Sequence, residues 1–302
     1  MRNILIFIVS LVCVQCGPKT TSEVSDKGGL LDLQGHRGMR GLFPENSILG
    51  FLRALELGVN TLELDIVMSG DTQLVVSHEP FVSSAICQYP GGKQIPKEME
   101  KELNMYQMTY EEIKAFDCGS LFNQGFLLQE KSRISKPLLR EVLDTVEQVS
   151  TAKGQVIHYN IELKSELALE GIYHPEVATF CQAAYQVVND QVDWRRITIQ
   201  SFDFRILRYF NKHYPEVQLA LLIENKLSWK LNIDSLGFTP EIYSCDYALL
   251  SAVIITELQE KNMKVIPWTV NDSLDMRQLI HWGVNGLITD YPNIALQILK
   301  IR

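Results

Sequence analysis

Four chemically capable side chains crowd one short stretch, LQGHRGMRGLFPENS (residues 33–47): His36, Arg37, Arg40 and Glu45, set among three glycines. A packing role does not call for an imidazole, two guanidiniums and that much backbone freedom. An active-site turn that meets an anion does. TLELDIV (61–67) carries Glu63 and Asp65, two residues apart, and alternate residues of a strand face one side. Taken alone, this strand allows two placements. Either both carboxylates face a barrel interior, or they face solvent and Leu62, Leu64 and Ile66 turn inward. HYNIELK (158–164) repeats the device with Glu162 and Lys164, and QLVVSHEP (73–80) ends a strand on His78, followed by Glu79. Neighbouring carboxylates are costly to bury unless a cation joins them. Hard oxygen donors such as Glu63, Asp65 and Glu162 suit Mg²⁺ or Ca²⁺ better than zinc. His36 and His78, free of metal, are then available as general base and general acid. Arg37 and Lys164 suit a phosphate. The residues by themselves point to metal-assisted phosphoryl or acyl chemistry.

Short apolar strands alternating with helical patterns must position these groups. Strands are expected at 31–36, 61–67, 73–78, 156–164, 196–202, 217–223, 241–247, 264–270 and 285–291. Helices are expected at 47–58, about 138–150, 175–190, 203–213, 251–261 and 272–282, with Asn46 and Ser47 offered as caps for the first. This alternation argues for a parallel sheet with helices outside. So many strands are most easily closed, which favours an α/β fold, the TIM (β/α)8 barrel. There are more candidates than eight places, and 241–247 and one C-terminal segment are the doubtful members. Residues 79 to about 137 are too long for a normal connection and read as an insertion after the third strand. In a barrel this insertion emerges at the active-site face, as a substrate cover or as surface decoration.

The chain has 302 residues, 46% of them hydrophobic, and a formal net charge of −8. It can bury a sizeable core and shows no Lys/Arg-rich run, which argues against a nucleic-acid partner. The N-terminus, MRNILIFIVSLVCVQC, has Arg2, then an apolar run from Ile4 to Val14 too short to span a bilayer comfortably. It resembles a bacterial lipoprotein signal with Cys16 as the lipidated residue, although Gln15 stands where a small residue is usual. Residues 1–16 are thus expected to be the signal and anchor site, 17–29 a flexible tether and 30–302 the barrel. The protein would be exported and membrane-anchored through Cys16, facing the periplasm or cell surface. Of the other cysteines, Cys181 and Cys245 sit in apolar surroundings as buried thiols, and Cys87 with Cys118 is the one pair to test.

GHRGMRGLFPENS, LELDIVMSGDTQLVVSHE, NIELK, QSFD, IPWTVN and GLITDYP occur in the order seen in glycerophosphodiester phosphodiesterases, from about residue 34 to 292. The chain resembles that family. The resemblance implies a TIM barrel with an insertion after the third strand. It implies His36 and His78 as the acid–base pair, Glu63, Asp65 and Glu162 as divalent-metal ligands, and Arg37 and Lys164 as phosphate contacts. Glu45 would fix the loop and the helix start, and Trp268 would give the pocket an apolar wall. The implied reaction is hydrolysis of a glycerophosphodiester to glycerol 3-phosphate and an alcohol, by attack of the glycerol 2-hydroxyl or of water. Glu79 stands where the family usually has aspartate, and Ser47 where it usually has threonine. PFVSSAIC replaces the Arg-Thr-Thr run often found there. Two other readings share the same barrel: a lysophospholipase D-like or other cyclising phosphodiesterase, and a surface protein that binds phosphate without turnover.

Overall fold

The computed structural model describes residues 31–300. The signal, lipidation and tether expectations lie outside the described residues. Eight parallel strands form a nearly closed barrel: β1 (Asp32–Gly35), β2 (Thr61–Met68), β4 (His158–Leu163), β5 (Ile197–Ser201), β6 (Gln218–Ile223), β7 (Ile242–Cys245), β8 (Lys264–Val265) and β9 (Gly286–Thr289). Backbone bonds from Asn285 N–H to Val265 O (2.9 Å) and from Ile288 N–H to Pro267 O (3.0 Å) span the seam between β8 and β9. Segment 241–247, doubtful from sequence, is a genuine stave. Segment 264–270 is a strand only over 264–265, because Pro267 cannot donate to a ladder.

The surplus strand is β3 (Leu74–Val76). It is third in chain order, as expected, but it pairs antiparallel with β2 instead of adding a stave. β2 overshoots its neighbour: Ile66 is its last residue opposite β4, while Ile66, Val67 and Met68 pair with β3. A five-residue turn from Ser69 to Gln73 reverses the chain, with the Ser69 hydroxyl donating to Asp71 at 2.6 Å. The returning strand delivers His78 beside the end of β2, where the Ser77 N–H donates to Asp65 O.

Helices pack outside. The first, α1 (Ile48–Leu57), starts at Ser47, whose hydroxyl accepts from Gly50 N–H, and ends at Gly58 in a left-handed conformation. Next comes α2 (Tyr110–Lys114) inside the insertion, closed by a Thr109–Glu112 capping box. Then follow α3 (Leu139–Ala152), α4 (Val177–Asn189), α5 (Phe204–His213), α6 (Trp229–Leu236), α7 (Ala252–Gln259), α8 (Ser273–Trp282) and α9 (Pro292–Lys300). One core joins the outward-facing strand residues (Leu33, Leu62, Leu64, Ile161, Ile199) to helix residues such as Phe51, Phe180 and Phe210. The insertion has its own small core, in which Val82, Ile95, Met105 and Ile113 pack on Val67 and Val75 of the hairpin. The Cys87–Cys118 disulfide closes it, and Cys181 and Cys245 are buried free thiols, as expected.

The barrel interior is divided. On one side Gln34, Glu63, Asn160 and Gln200 point inward and are buried. Asn160 Nδ2 donates to Gln34 Oε1 (2.8 Å) and Gln200 Oε1 (3.0 Å), and Gln200 Nε2 donates to Glu63 Oε1 (2.8 Å). On the other side Ala220, Ile242, Ile266 and Ile288 form an apolar plug capped by Trp268. The amide network forms a polar floor beneath one half of the mouth, and the plug an apolar floor beneath the other.

Candidate active site

Just past β1 the chain turns through Arg37, a non-glycine residue in the left-handed region (φ 50°). Two contacts impose this strained conformation: Arg37 N–H donates to Glu63 Oε2 (2.8 Å), and Asn46 N–H donates to Arg37 O (3.0 Å). Gly35 and Gly38 make the turn possible. A Cβ on Gly35 would meet Gly38 O at 2.0 Å, and one on Gly38 would meet the Gly50 carbonyl carbon at 2.8 Å. These glycines therefore let the turn pack on itself and on α1.

The register of β2 and β4 sets Asp65 opposite Glu162, so the inward carboxylates of two staves are neighbours. One oxygen each from Glu63, Asp65 and Glu162 falls within 4.8 Å of the others, and all three residues are buried. Burial, then the charge of Asp65, pushes Glu63 well above the carboxylate range. Burial likewise raises Glu162, against the opposing pull of Lys164. Asp65 goes the other way: burial is outweighed, chiefly by Arg37, and it stays below its ordinary value. Asn46, left-handed at φ 52°, does not cap α1; its Nδ2 donates to Asp65 Oδ2 (2.9 Å). A buried acidic cluster that cannot ionise fully by itself, built from hard oxygen donors, fits a divalent cation.

Cations flank this cluster. Arg37 Nη1 donates to Glu45 Oε1 (3.1 Å), and Arg37 Nε lies 3.3 Å from Asp65 Oδ2. Lys164 Nζ donates to Glu162 Oε1 (2.7 Å) and lies 3.9 Å from Asp65 Oδ1. Despite burial, these acids hold both cations firmly protonated. Glu45 thus fixes the loop by holding the Arg37 guanidinium. The helix start belongs to Ser47, which corrects that half of the Glu45 expectation.

Each histidine is held through Nδ1 by a carboxylate. His36 Nδ1 lies 2.7 Å from Asp290 Oδ1, and its Nε2 lies 4.0 Å from Glu63 Oε2. Burial, then the Arg37 charge, pushes His36 down to about 4. Asp290 also accepts from Arg40 Nε (2.9 Å) and Nη2 (3.0 Å) and from Asn271 Nδ2 (2.7 Å). Burial opposes its ionisation, but His36 and Arg40 hold it well below the carboxylate range. His78 Nδ1 lies 2.9 Å from Glu79 Oε1, so the departure from aspartate leaves a carboxylate in place.

These groups line one cavity of about 780 Å³ at the C-terminal mouth of the barrel. His36, Arg37, Glu63, His78, Glu162, Lys164 and Trp268 all border it. Asp65 lies just beneath, joined to the cavity through Glu162 and Lys164. Part of the outer wall is apolar, made by Phe81 from the insertion, Leu169 and Tyr173 from the loop after β4, Phe202 and Trp268, with Lys101, Glu166 and Glu224 also on the lining. Trp268 is fixed by its Nε1–H to Ser244 O (3.0 Å) and meets Phe202 edge-on at 5.4 Å. Sequence reasoning gave no role to Asp290 or Gln200 and missed the one Asn46 has. The QSFD and TDYP blocks held Gln200 and Asp290. Asn46 was read as a cap.

The family model for the glycerophosphoryl diester phosphodiesterase family matches residues 36–294. A glycerophosphodiester phosphodiesterase of Caldanaerobacter subterraneus is 30% identical over 269 residues, covering 88% of this chain and 96% of that protein. The crystal structure of a Silicibacter pomeroyi glycerophosphoryl diester phosphodiesterase, assigned as such only provisionally, superposes with a TM-score of 0.82 at 28% identity, over 91% and 94% of the two chains. At 20% identity and a TM-score of 0.70, an Oleispira antarctica phosphodiesterase in complex with the product sn-glycerol-3-phosphate shares the fold over 90% and 97%. The matched span takes in both histidines, the acidic cluster, both flanking cations and every stave but β1, and the chain belongs to the glycerophosphoryl diester phosphodiesterase family of hydrolases.

Proposed function

We propose that the protein hydrolyses glycerophosphodiesters to glycerol 3-phosphate and an alcohol, with His36 as general base and His78 as general acid. The carrying observation is the pair of histidines, each held through Nδ1 by a carboxylate, beside a buried three-carboxylate cluster flanked by Arg37 and Lys164. A divalent cation, Mg²⁺ or Ca²⁺, held by Glu63, Asp65 and Glu162 would supply charge to a phosphoryl oxygen. Arg37 and Lys164 hold the phosphate anion. His36 is neutral at neutral pH, so its Nε2 accepts the proton of the attacking hydroxyl. Asp290 orients the ring and stabilises the imidazolium that forms. His78 sits next to Pro80 and Phe81, at the apolar outer wall, where the leaving group would lie. It gives its proton to the departing alkoxide, and Glu79 aims its Nε2 at the cavity.

The test incubates the chain lacking residues 1–16 with glycerophosphocholine and measures glycerol 3-phosphate with Mg²⁺, with Ca²⁺ and with chelator. Metal-dependent release is expected. No release from folded protein with any metal would overturn the proposal. A second reading, cleavage of lysophospholipids, draws on the apolar wall of Phe81, Leu169, Tyr173 and Phe202, which suits an acyl chain. A substrate panel separates them, because only the second requires an acyl-bearing glycerol.

We also propose export and lipid anchoring at Cys16, on the basis of the 1–16 sequence. The Cys87–Cys118 disulfide supports an oxidising compartment. Metabolic labelling with a fatty acid tests this, and labelling of Cys16→Ser would sink it.

A further inference from the structure

The exposed large apolar side chains are not scattered. Of the twelve among the described residues, ten lie in the insertion or in the loops and helix starts that follow a strand's C-terminal end. They therefore belong to the face that opens on the active-site cavity. Leu127 and Leu128 are the insertion's most exposed, at 71% and 75%. Their segment sits over β1 and β9, because Glu130 N–H donates to Leu42 O and Phe126 packs on Tyr291. Leu227 and Leu231 follow β6, and in the strand order β6 lies four staves from β1 in either direction. The two leucine pairs are thus on opposite sides of the mouth. Leu167 after β4 and Val253 after β7 stand between them around the rim.

A knob-shaped protein partner would favour one contiguous patch. Separate prongs around a circular mouth fit a plane. The chemistry beside them is that of a lipid interface. Lys226 and Lys230 bracket Leu227 and Trp229, Leu231 follows, and Lys230 Nζ lies 5.2 Å from the Trp229 ring centre. Lys131 Nζ lies 5.2 Å from the Phe122 ring centre, and Arg133 follows it. Exposed leucines beside lysines seat the apolar parts in a bilayer and leave the ammonium groups among the headgroups, while Trp229, packed on the core and bonded to Glu257, anchors its prong to the barrel. In a chain of net charge −8, both prongs are net positive, Lys131 and Arg133 against Glu130 in one and Lys226 and Lys230 in the other, which is complementary to anionic phospholipid.

We propose that the mouth of the barrel docks on the surface of an anionic phospholipid bilayer through the prongs at 122–133 and 226–231, so that the cavity opens toward the membrane. This goes beyond the hydrolase reading and does not depend on turnover.

Vesicle co-sedimentation tests it. The chain of residues 17–302, produced without lipid, is mixed with phosphatidylcholine vesicles with and without phosphatidylglycerol. Every described element and both cores lie within that chain. The expected result is pelleting with the anionic vesicles, weakened about tenfold or more by Leu127→Glu/Leu128→Glu and by Leu227→Glu/Leu231→Glu. Hydrolysis of a soluble glycerophosphodiester should be unchanged in both variants. Protein that stays in the supernatant with both vesicle types overturns the proposal, as does pelleting unaffected by either pair of substitutions. Sedimentation velocity showing a wild-type dimer that both variants lose would assign the prongs to a second copy and overturn it too.

Discussion

At the scale of single residues, the site separates two histidines by environment. His36 is buried on Asp290 and held at about 4 against an ordinary value of 6.5, first by burial and then by Arg37. Between those values the unfolded chain binds a proton that the folded chain refuses, so stability rises with pH through this window and is lost as pH falls from 6.5 toward 4. The whole effect is up to roughly 3 kcal/mol. Thermal melts of chelated protein from pH 4 to 7 should show this slope, and His36→Gln should flatten it. His78 is assigned the leaving-group proton. His78→Ala should therefore lose about 10²–10⁴-fold on an alkyl diester and recover most of it on a nitrophenyl diester, which leaves without protonation. His36→Ala should be slow on both, and equal rescue of the two would reverse or void the assignment. Most of these residues were legible because they end strands or share strand parity. Asp290 was not. Its role exists only once β9 lies beside β1, and nothing local to TDYP states that neighbour.

At the scale of elements, the hairpin is where the sequence was least explicit. Period and composition mark 73–78 as a strand, but they carry no direction. The clue was the distance: five residues between β2 and β3 cannot return a chain for parallel pairing, which needs a dozen or more. The short helix α6 was also missed, since its eight residues give too few turns for a periodic pattern. The insertion hangs on the hairpin through its own small core, and the disulfide closes a loop across 31 positions. Cys87→Ala/Cys118→Ala should cost about 4 kcal/mol by chain entropy. Protease should then cut within 79–137 before it cuts the barrel. Uniform digestion of both would show that the insertion is not a separate stability unit.

At the scale of the whole molecule, the barrel supplies a fixed ring on which groups distant in sequence meet. Alternation of strand and helix made that ring legible, and the inward parity of successive staves sorted the polar floor from the apolar plug. Because the acidic cluster forms only in the folded ring, a cation that binds it stabilises the native state by mass action. Mg²⁺ or Ca²⁺ at about a hundredfold excess over its dissociation constant should add about 2.7 kcal/mol, read as a rise of several degrees in Tm that chelator reverses. Asp65→Asn should abolish the rise. The rise should also fade at low pH, where Glu63 and Glu162 keep their protons. A Tm indifferent to both metals would argue against a cation in this cluster.

The His36–Asp290 pair joins the first stave to the last, across 254 positions of sequence. Every other stave must be synthesised between its two halves. A nascent or truncated chain that ends before residue 290 lacks the carboxylate that orients His36, however well its earlier staves have condensed. The proposed base can therefore be oriented by Asp290 only after every stave of the barrel has been made.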